Sequence, residues 1–273
     1  MAPPDAAGSG RLATMIRVHS LEMVHRARAA HIGSSLSIAD ILAVLYDGVL
    51  NVDPKNPSDP GRDRLFLGKG HAAAALYAAL AEAGFFPVEM LRTYCADGSR
   101  LAGHVTHAGV PGVEASFGSL GHGLPIACGN ALALRGDGNP ARVFAILSDG
   151  ECDEGSTWEA CLFAGSHGLG NLVAIVDYNR IQSLGRVEEV MDLEPLSDKW
   201  RAFGWAVVEV DGHDHAQLRA ALAGPADAGG RPRCVLAHTV KGKGVSFMED
   251  RLAWHYSTPS QEQLRQALDE LGA

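Results

Sequence analysis

Residues 148–185 read SDGECDEGSTWEACLFAGSHGLGNLVAIVDYNRIQSLG, and their reading decides the fold. The apolar run Val143–Leu147 just before them reads as a buried strand, with Asp149-Gly150 turning at its carboxyl end. Trp158–Gly165 suits a helix packed on a sheet, and Leu172–Val176 is a second short apolar run. Strand, helix and strand at this spacing make a parallel crossover unit, so the expected fold class is α/β, a parallel sheet flanked by helices. Ligands of open parallel sheets sit beyond the carboxyl ends of the strands, where Asp149 and Asn179 both fall.

Asp149 offers a carboxylate and Asn179 an amide oxygen, hard donors that magnesium takes alongside phosphate oxygens. Gly150 lets the backbone come close to a ligand, and a following helix amino terminus favours an anion. The set suits a magnesium–diphosphate clamp. Asp-Gly alone also fits an ordinary strand-to-helix turn with Asp149 as the helix cap, and the crossover unit leading on to Asn179 shifts the balance toward the clamp. Glu151, Asp153 and Glu154 read as a solvated acidic helix start, and Cys152 as a small filler.

At 273 residues, 47% hydrophobic and 20% charged, the chain is ample for one α/β domain with an N-terminal helical layer. Residues 11–273 are expected to form it, after a Pro-, Ala- and Gly-rich tail over 1–10 expected to be disordered. The net charge of −9 and the lack of a basic stripe argue against a nucleic-acid partner. No apolar run reaches the ~18–20 residues of a membrane span, and the start lacks the pattern of a secretory leader. Five cysteines, an odd number without CxxC spacing, suggest reduced thiols and a cytoplasmic protein. No GxGxxG follows the first strand, which sets aside a nicotinamide-binding domain.

Working outward, Arg11–Ala30 fits an amphipathic helix ending at His31-Ile32-Gly33, and Ser37–Gly48 a second helix. Arg64–Leu67 is a short strand leading into Lys69-Gly70-His71 and the Ala-rich helix Ala72–Ala83. By residue type alone, His31 and His71 fit helix-end caps as well as site residues. His104, His107 and His122 lie in a glycine-rich run, too irregularly spaced and too poor in acidic or thiol partners to favour zinc. Helix is expected over Leu120–Leu134, His215–Ala223 and Gln261–Leu271, and strand over Trp205–Val210 and Arg233–Thr239. Asp211-Gly212-His213-Asp214 reads as a turn. Residues 241–256 read as a mobile lid ending in a histidine, with Lys241 and Lys243 as solvated charges.

The run SDGECDEG followed by NLVAIVDYNRIQSLG resembles the thiamine-diphosphate signature in its transketolase form. The resemblance continues in HIGSSLS (31–37), LGKGHAAAALYAAL (67–80), PGVEASFGSLGHGL (111–124) and TVKGKGVSFMEDRLAWHYSTP (239–259), which stand in the family's order over nearly the whole chain. It implies thiamine diphosphate and Mg2+ as cofactors. Asp149, Asn179 and the backbone carbonyl of Ile181 would then hold the metal. Gly118, Ser119, Leu120 and Gly150 would receive the thiazolium and diphosphate, and Asn179, His71 and His255 would touch the cofactor. His31, His71, His104 and His255 would be the catalytic histidines, and Glu154 would join a carboxylate network near the cofactor at an interface between chains. Two positions depart from the family's usual form: Gly68 stands for a Ser, which implies a changed hydrogen bond, and Val105 for a Pro.

The reaction so implied is transfer of a two-carbon ketol unit from a ketose, commonly a ketose phosphate, to an aldose. Full-length transketolases are more than twice as long and carry a second domain with the Glu that activates the aminopyrimidine. The resemblance is therefore to the N-terminal subunit of a split transketolase, which works in a heterotetramer with a separate C-terminal subunit. The rival readings are a decarboxylating 2-oxo-acid ligase resembling deoxyxylulose phosphate synthase and a non-catalytic regulatory subunit. The KGKGVSF and AWH blocks and the retained histidines favour ketol transfer.

Overall fold

The computed structural model describes residues 6–224 and 229–273. Five strands, β1 (Arg64–Leu67), β2 (Val143–Ser148), β3 (Leu172–Tyr178), β4 (Ala206–Asp211) and β5 (Arg233–His238), form one sheet in the order β1-β2-β3-β5-β4. Every pairing in it is parallel. β2 and β3 are apolar almost throughout because every one of their positions is buried, as expected of central parallel strands covered on both faces. β4 lies at an edge and leaves half its residues exposed. In the β2–β3 register Ser148 stands opposite Asp177, so Asp149 and Asn179 leave neighbouring strands at the same end of the sheet.

The helices pack in two groups. α1 (Ala6–Ala27), α3 (Ala39–Val44) and α4 (Ala73–Glu82) pack on one another, with the short α2 (Ile32–Ser37) wedged among them. Six of the ten residues of α4 are alanine, which lets its neighbours approach closely, and nine of the ten are buried. α5 (Gly123–Gly136) and α6 (Gly155–Ser166) form the other group and pack together, α5 also against β2. Beyond β3 the chain makes α7 (Val187–Val190) and α8 (Leu196–Ala202), then α9 (His215–Leu222) beside β4, and finally α10 (Gln261–Leu271), which docks on α1 behind a Ser260–Gln263 capping box.

The first helix begins before the expected boundary. Ala6–Gly10, expected to belong to a disordered tail, is helical, and within it Ser9 is fully buried with its hydroxyl 2.8 Å from His215 Nδ1. The rest of that tail, residues 1–5, lies outside the described residues. The expected second helix over Ser37–Gly48 is realised as α3 and a wide turn: Ile38, at φ −98° and ψ 4°, separates α3 from α2, and Asp47 and Gly48 leave helical geometry, Gly48 at φ 95°. Asp211–Asp214 forms a turn in which Asp214 caps α9, while His213 Nδ1 pairs with Asp40 Oδ2 at 2.6 Å. Among the described residues no helix is long and apolar enough to cross a membrane.

Candidate active site

At the carboxyl ends of β1, β2 and β3 lies a cleft of about 210 Å³. Its floor is made by the residues that leave β2 and β3. Asp149 is 1% exposed; its Oδ1 accepts the Gly150 N–H at 2.8 Å and its Oδ2 the Arg180 N–H at 2.6 Å. Arg180 sits in the left-handed region at φ 63°, and this reversal brings Asn179 and Ile181 onto the same cleft as Asp149. Asn179 Oδ1 accepts the Ile181 N–H at 3.1 Å, and its Nδ2 donates to Asp177 Oδ2 at 3.0 Å, which fixes the orientation of the amide.

Beneath these groups lies a buried charge network. Asp177, wholly buried, is ion-paired with Lys69, itself fully buried, and accepts hydroxyl donors from Ser37 (2.7 Å) and Thr239. Burial pushes the Asp177 carboxyl up, but the Lys69 ammonium and the hydroxyls outweigh it and hold it below the usual range. Asp149 has no such cation in contact. Burial and the Asp177 charge push it up to about 6. Lys241, 2% exposed, donates to the Ile181 carbonyl at 2.7 Å and to His255 Nδ1 at 3.0 Å. Burial and the neighbouring Lys69 push it down to about 8.

Four histidines stand over this floor. His31 is at their centre, its ring centroid 5.2 Å from His71, 5.6 Å from His104 and 5.1 Å from His255. It comes from the junction of α1 and α2, held at φ 69° by a 2.9 Å bond from its N–H to the His255 carbonyl. A second tie runs from Gly242 N–H to the Gly33 carbonyl at 3.0 Å; a Cβ on Gly33 would meet Lys241 Cγ and the Trp254 carbonyl at 3.2 Å. Burial, then neighbouring charges, lower His31 to about 4 and His255 to about 3, and push His71 well below its ordinary value. These three imidazoles are therefore neutral near pH 7. An ammonium can only donate, so His255 Nδ1 accepts from Lys241 and its ring proton lies on Nε2.

Of the residues expected at a site, His31, His71, His104, Gly118, Leu120, Asp149, Gly150, Asn179, Ile181 and His255 all line this cleft. Ser119 and Glu154 do not. Ser119 is exposed between its two lining neighbours, and Glu154 is exposed at the amino terminus of α6. His107 and His122 turn elsewhere, to Ser116 and to the Leu120 carbonyl. The expectation that Lys241 is a solvated charge is corrected by its burial, as is the solvated reading of Glu151, which is 0% exposed and pushed up to about 7 by that burial. Lys69 and Asp177 carry no local signal of their own. A lysine directly before Gly-His and an aspartate inside an apolar strand were the only hints.

Fold and cleft together define a diphosphate-binding α/β enzyme domain. Residues 9–273 match the family described as transketolase, thiamine diphosphate binding domain. The chain is 44% identical to the 6-deoxy-6-sulfo-D-fructose transketolase subunit SqwG of Clostridium sp. (strain MSTE9), over 95% of this chain and 94% of that one. It is 40% identical to an apulose-4-phosphate transketolase subunit of Phocaeicola vulgatus, over 93% and 90%. The solved transketolase of Campylobacter jejuni superposes with a TM-score of 0.91 at 31% identity, covering 98% of this chain but 43% of that one. The chain belongs to the transketolase family. It corresponds there to the thiamine-diphosphate-binding subunit of the two-subunit enzymes, and spans about two fifths of the length of the solved transketolases it matches.

Proposed function

We propose that this chain is the cofactor-holding half of a transketolase that moves a two-carbon ketol unit from a ketose to an aldose. A separate C-terminal subunit closes the site, and two copies of each make the working heterotetramer in the cytoplasm. The observation that carries the reading is the convergence of His31, His71, His104 and His255 over Asp149, Asn179 and Ile181 in one cleft.

The floor fits its group. Asp149 is a buried carboxylate without a cation in contact, and Mg2+ held by it, Asn179 Oδ1 and the Ile181 carbonyl would relieve the penalty that raises it. The Lys69 and Lys241 ammoniums lie buried behind the cleft and favour a polyanion such as diphosphate, which Gly118, Leu120 and Gly150 leave room to receive. Thiamine diphosphate, when bound, supplies the nucleophilic carbon and the electron sink for the two-carbon unit. The chain's own residues bind, orient and move protons. Neutral imidazoles give each of His31, His71 and His255 one donor and one acceptor nitrogen, suited to sugar hydroxyls and to proton transfer at a carbonyl or alkoxide oxygen. The Lys241 bond holds the His255 ring and keeps the donor at Nε2.

Neutral histidines read hydroxyls, which every ketol donor shares, and not the anionic tail. The relatives named above differ in that tail, a sulfonate in one and a phosphate in the other. A phosphorylated or comparably anionic sugar is proposed as substrate, its charged end bound by the partner. The test is turnover of xylulose 5-phosphate with ribose 5-phosphate, thiamine diphosphate and Mg2+, by the chain alone and with its partner. Activity only in the mixture supports the proposal. Release of carbon dioxide from pyruvate, or turnover by the lone chain, counts against it.

A further inference from the structure

Glu151 follows the Asp149-Gly150 turn yet faces away from the cleft. Its backbone is anchored, with its N–H donating to Ser148 Oγ at 3.1 Å and its carbonyl accepting the Thr157 hydroxyl at 2.8 Å. Its side chain is fully buried, and Oε1 accepts the Gly121 N–H at 3.1 Å. Oε2 is buried with no hydrogen-bond partner among the described residues. The backbone N–H groups of Gly121, Ser148 and Gly123 face this carboxyl and oppose the rise that its burial causes.

Two backbone segments, the end of β1 and the Gly118–Gly123 loop, close around this carboxylate with glycine clearance. A Cβ on Gly68, at the end of β1, would stand 2.6 Å from Oε1 and 2.7 Å from Oε2. A Cβ on Gly123 would stand 2.5 Å from Gly68 Cα. Gly121, at φ 79°, would bring a Cβ to 2.5 Å from Ser156 Oγ, the hydroxyl that donates to its carbonyl at 2.7 Å. Gly121 is thus gripped on its N–H by Glu151 and on its carbonyl by Ser156. The same loop contributes Gly118 and Leu120 to the cleft wall.

We infer that Glu151 is a positioning residue: its buried carboxyl group fastens the Gly118–Gly123 loop against the end of β1 and so fixes the wall against which the cofactor lies. The inference rests on the ketol-transfer reading only for what that wall receives. Glu151 touches neither cofactor nor substrate; it acts through the Gly121 amide.

The test uses the full chain with Glu151→Ala, Glu151→Gln and Gly68→Ala. Amide hydrogen exchange over residues 118–123 is measured without cofactor, and the dissociation constant for thiamine diphosphate at saturating Mg2+ by titration calorimetry on the chain assembled with its partner subunit. Glu151→Ala is expected to speed loop exchange and weaken cofactor binding, each by about tenfold, the loss of the hydrogen bond that holds the Gly121 amide. Exchange in β2 and β3 should not change. Glu151→Gln, which keeps an acceptor oxygen, restores both to within about threefold, and kcat at saturating cofactor stays near that of the unsubstituted chain with its partner. Unchanged loop exchange and binding in a folded Glu151→Ala overturn the inference, as does a Glu151→Gln no better than the alanine. Where Glu151→Ala does not fold, Gly68→Ala displaces the same carboxylate without removing it. The same two increases support the inference and their absence overturns it. An unsubstituted chain that binds no thiamine diphosphate even when assembled with its partner counts against the proposed function, while loop exchange still decides the role of Glu151.

Discussion

The floor of the cleft and its rim are built on opposite plans. On the floor, Lys69, Asp149, Asp177 and Lys241 are each at most 2% exposed, and every one is engaged by hydrogen bonds from its own chain. At the rim, Leu184 is 75% exposed and Tyr256 61%, although Ser183 and His255 beside them line the cleft. On the proposed function these are the groups that the partner subunit would cover. The charged floor is thus organised within this one chain, while the wall facing the substrate is the part that the proposed function assigns to a second protein.

The comparison breaks most visibly at Asp177. Asp177→Ala would leave Lys69 buried and unpaired and free the Asn179 amide, lowering the unfolding free energy by about 3–5 kcal/mol in urea denaturation. A loss under about 1 kcal/mol would mean that the floor is not held by this pair. Next in size is Lys241→Met, which keeps the packed stem but strips the donor from the Ile181 carbonyl and from His255. Activity of the assembled enzyme is expected to fall about a hundredfold with the fold intact, measured as kcat/KM beside circular dichroism.

The histidines sharpen the same contrast through pH. His31 is held down to about 4 in the fold, against its ordinary value of 6.5. Below about pH 6.5 the unfolded chain therefore takes up a proton that the folded chain refuses, and this group's contribution to stability falls with pH until about pH 4. His31→Asn should lose fewer degrees of Tm between pH 7 and pH 5 than the unsubstituted chain, read by thermal melts at both. Equal losses would show that His31 is not desolvated. The smallest effect on the chain itself belongs to the rim. Leu184→Ser should change its stability by less than about 0.5 kcal/mol, yet weaken association with the C-terminal partner about tenfold in a mixing titration.

How much of this was legible in the sequence follows from the range of the signals. The sheet around residues 143–178 was legible because a buried strand needs only a short apolar run, and the register then carried Asp149 and Asn179 to one place. The four histidines were marked by family resemblance; by type alone His31 and His71 were no better than helix caps. Lys241 was misread because a lysine among glycines looks solvated, and its burial depends on Ile181 and His255, which lie far from it in sequence. Glu151 was misread within an acidic run for the same reason: the glycines that enclose it stand at positions 68, 121 and 123. The break after α3 came from Gly48 at φ 95°, a conformation that apolar periodicity does not register.

The bond from the His31 N–H to the His255 carbonyl has a consequence for the life of the chain before it acts. During synthesis the strands and the diphosphate floor can gather as they emerge, but the histidine cluster closes only once residue 255 has left the ribosome. Until then His31 stands without His255, and the left-handed turn that aims it lacks the carbonyl that holds it. The histidine cluster closes only after the last strand has been made, so a chain caught between residues 238 and 255 has its sheet but not yet the cluster.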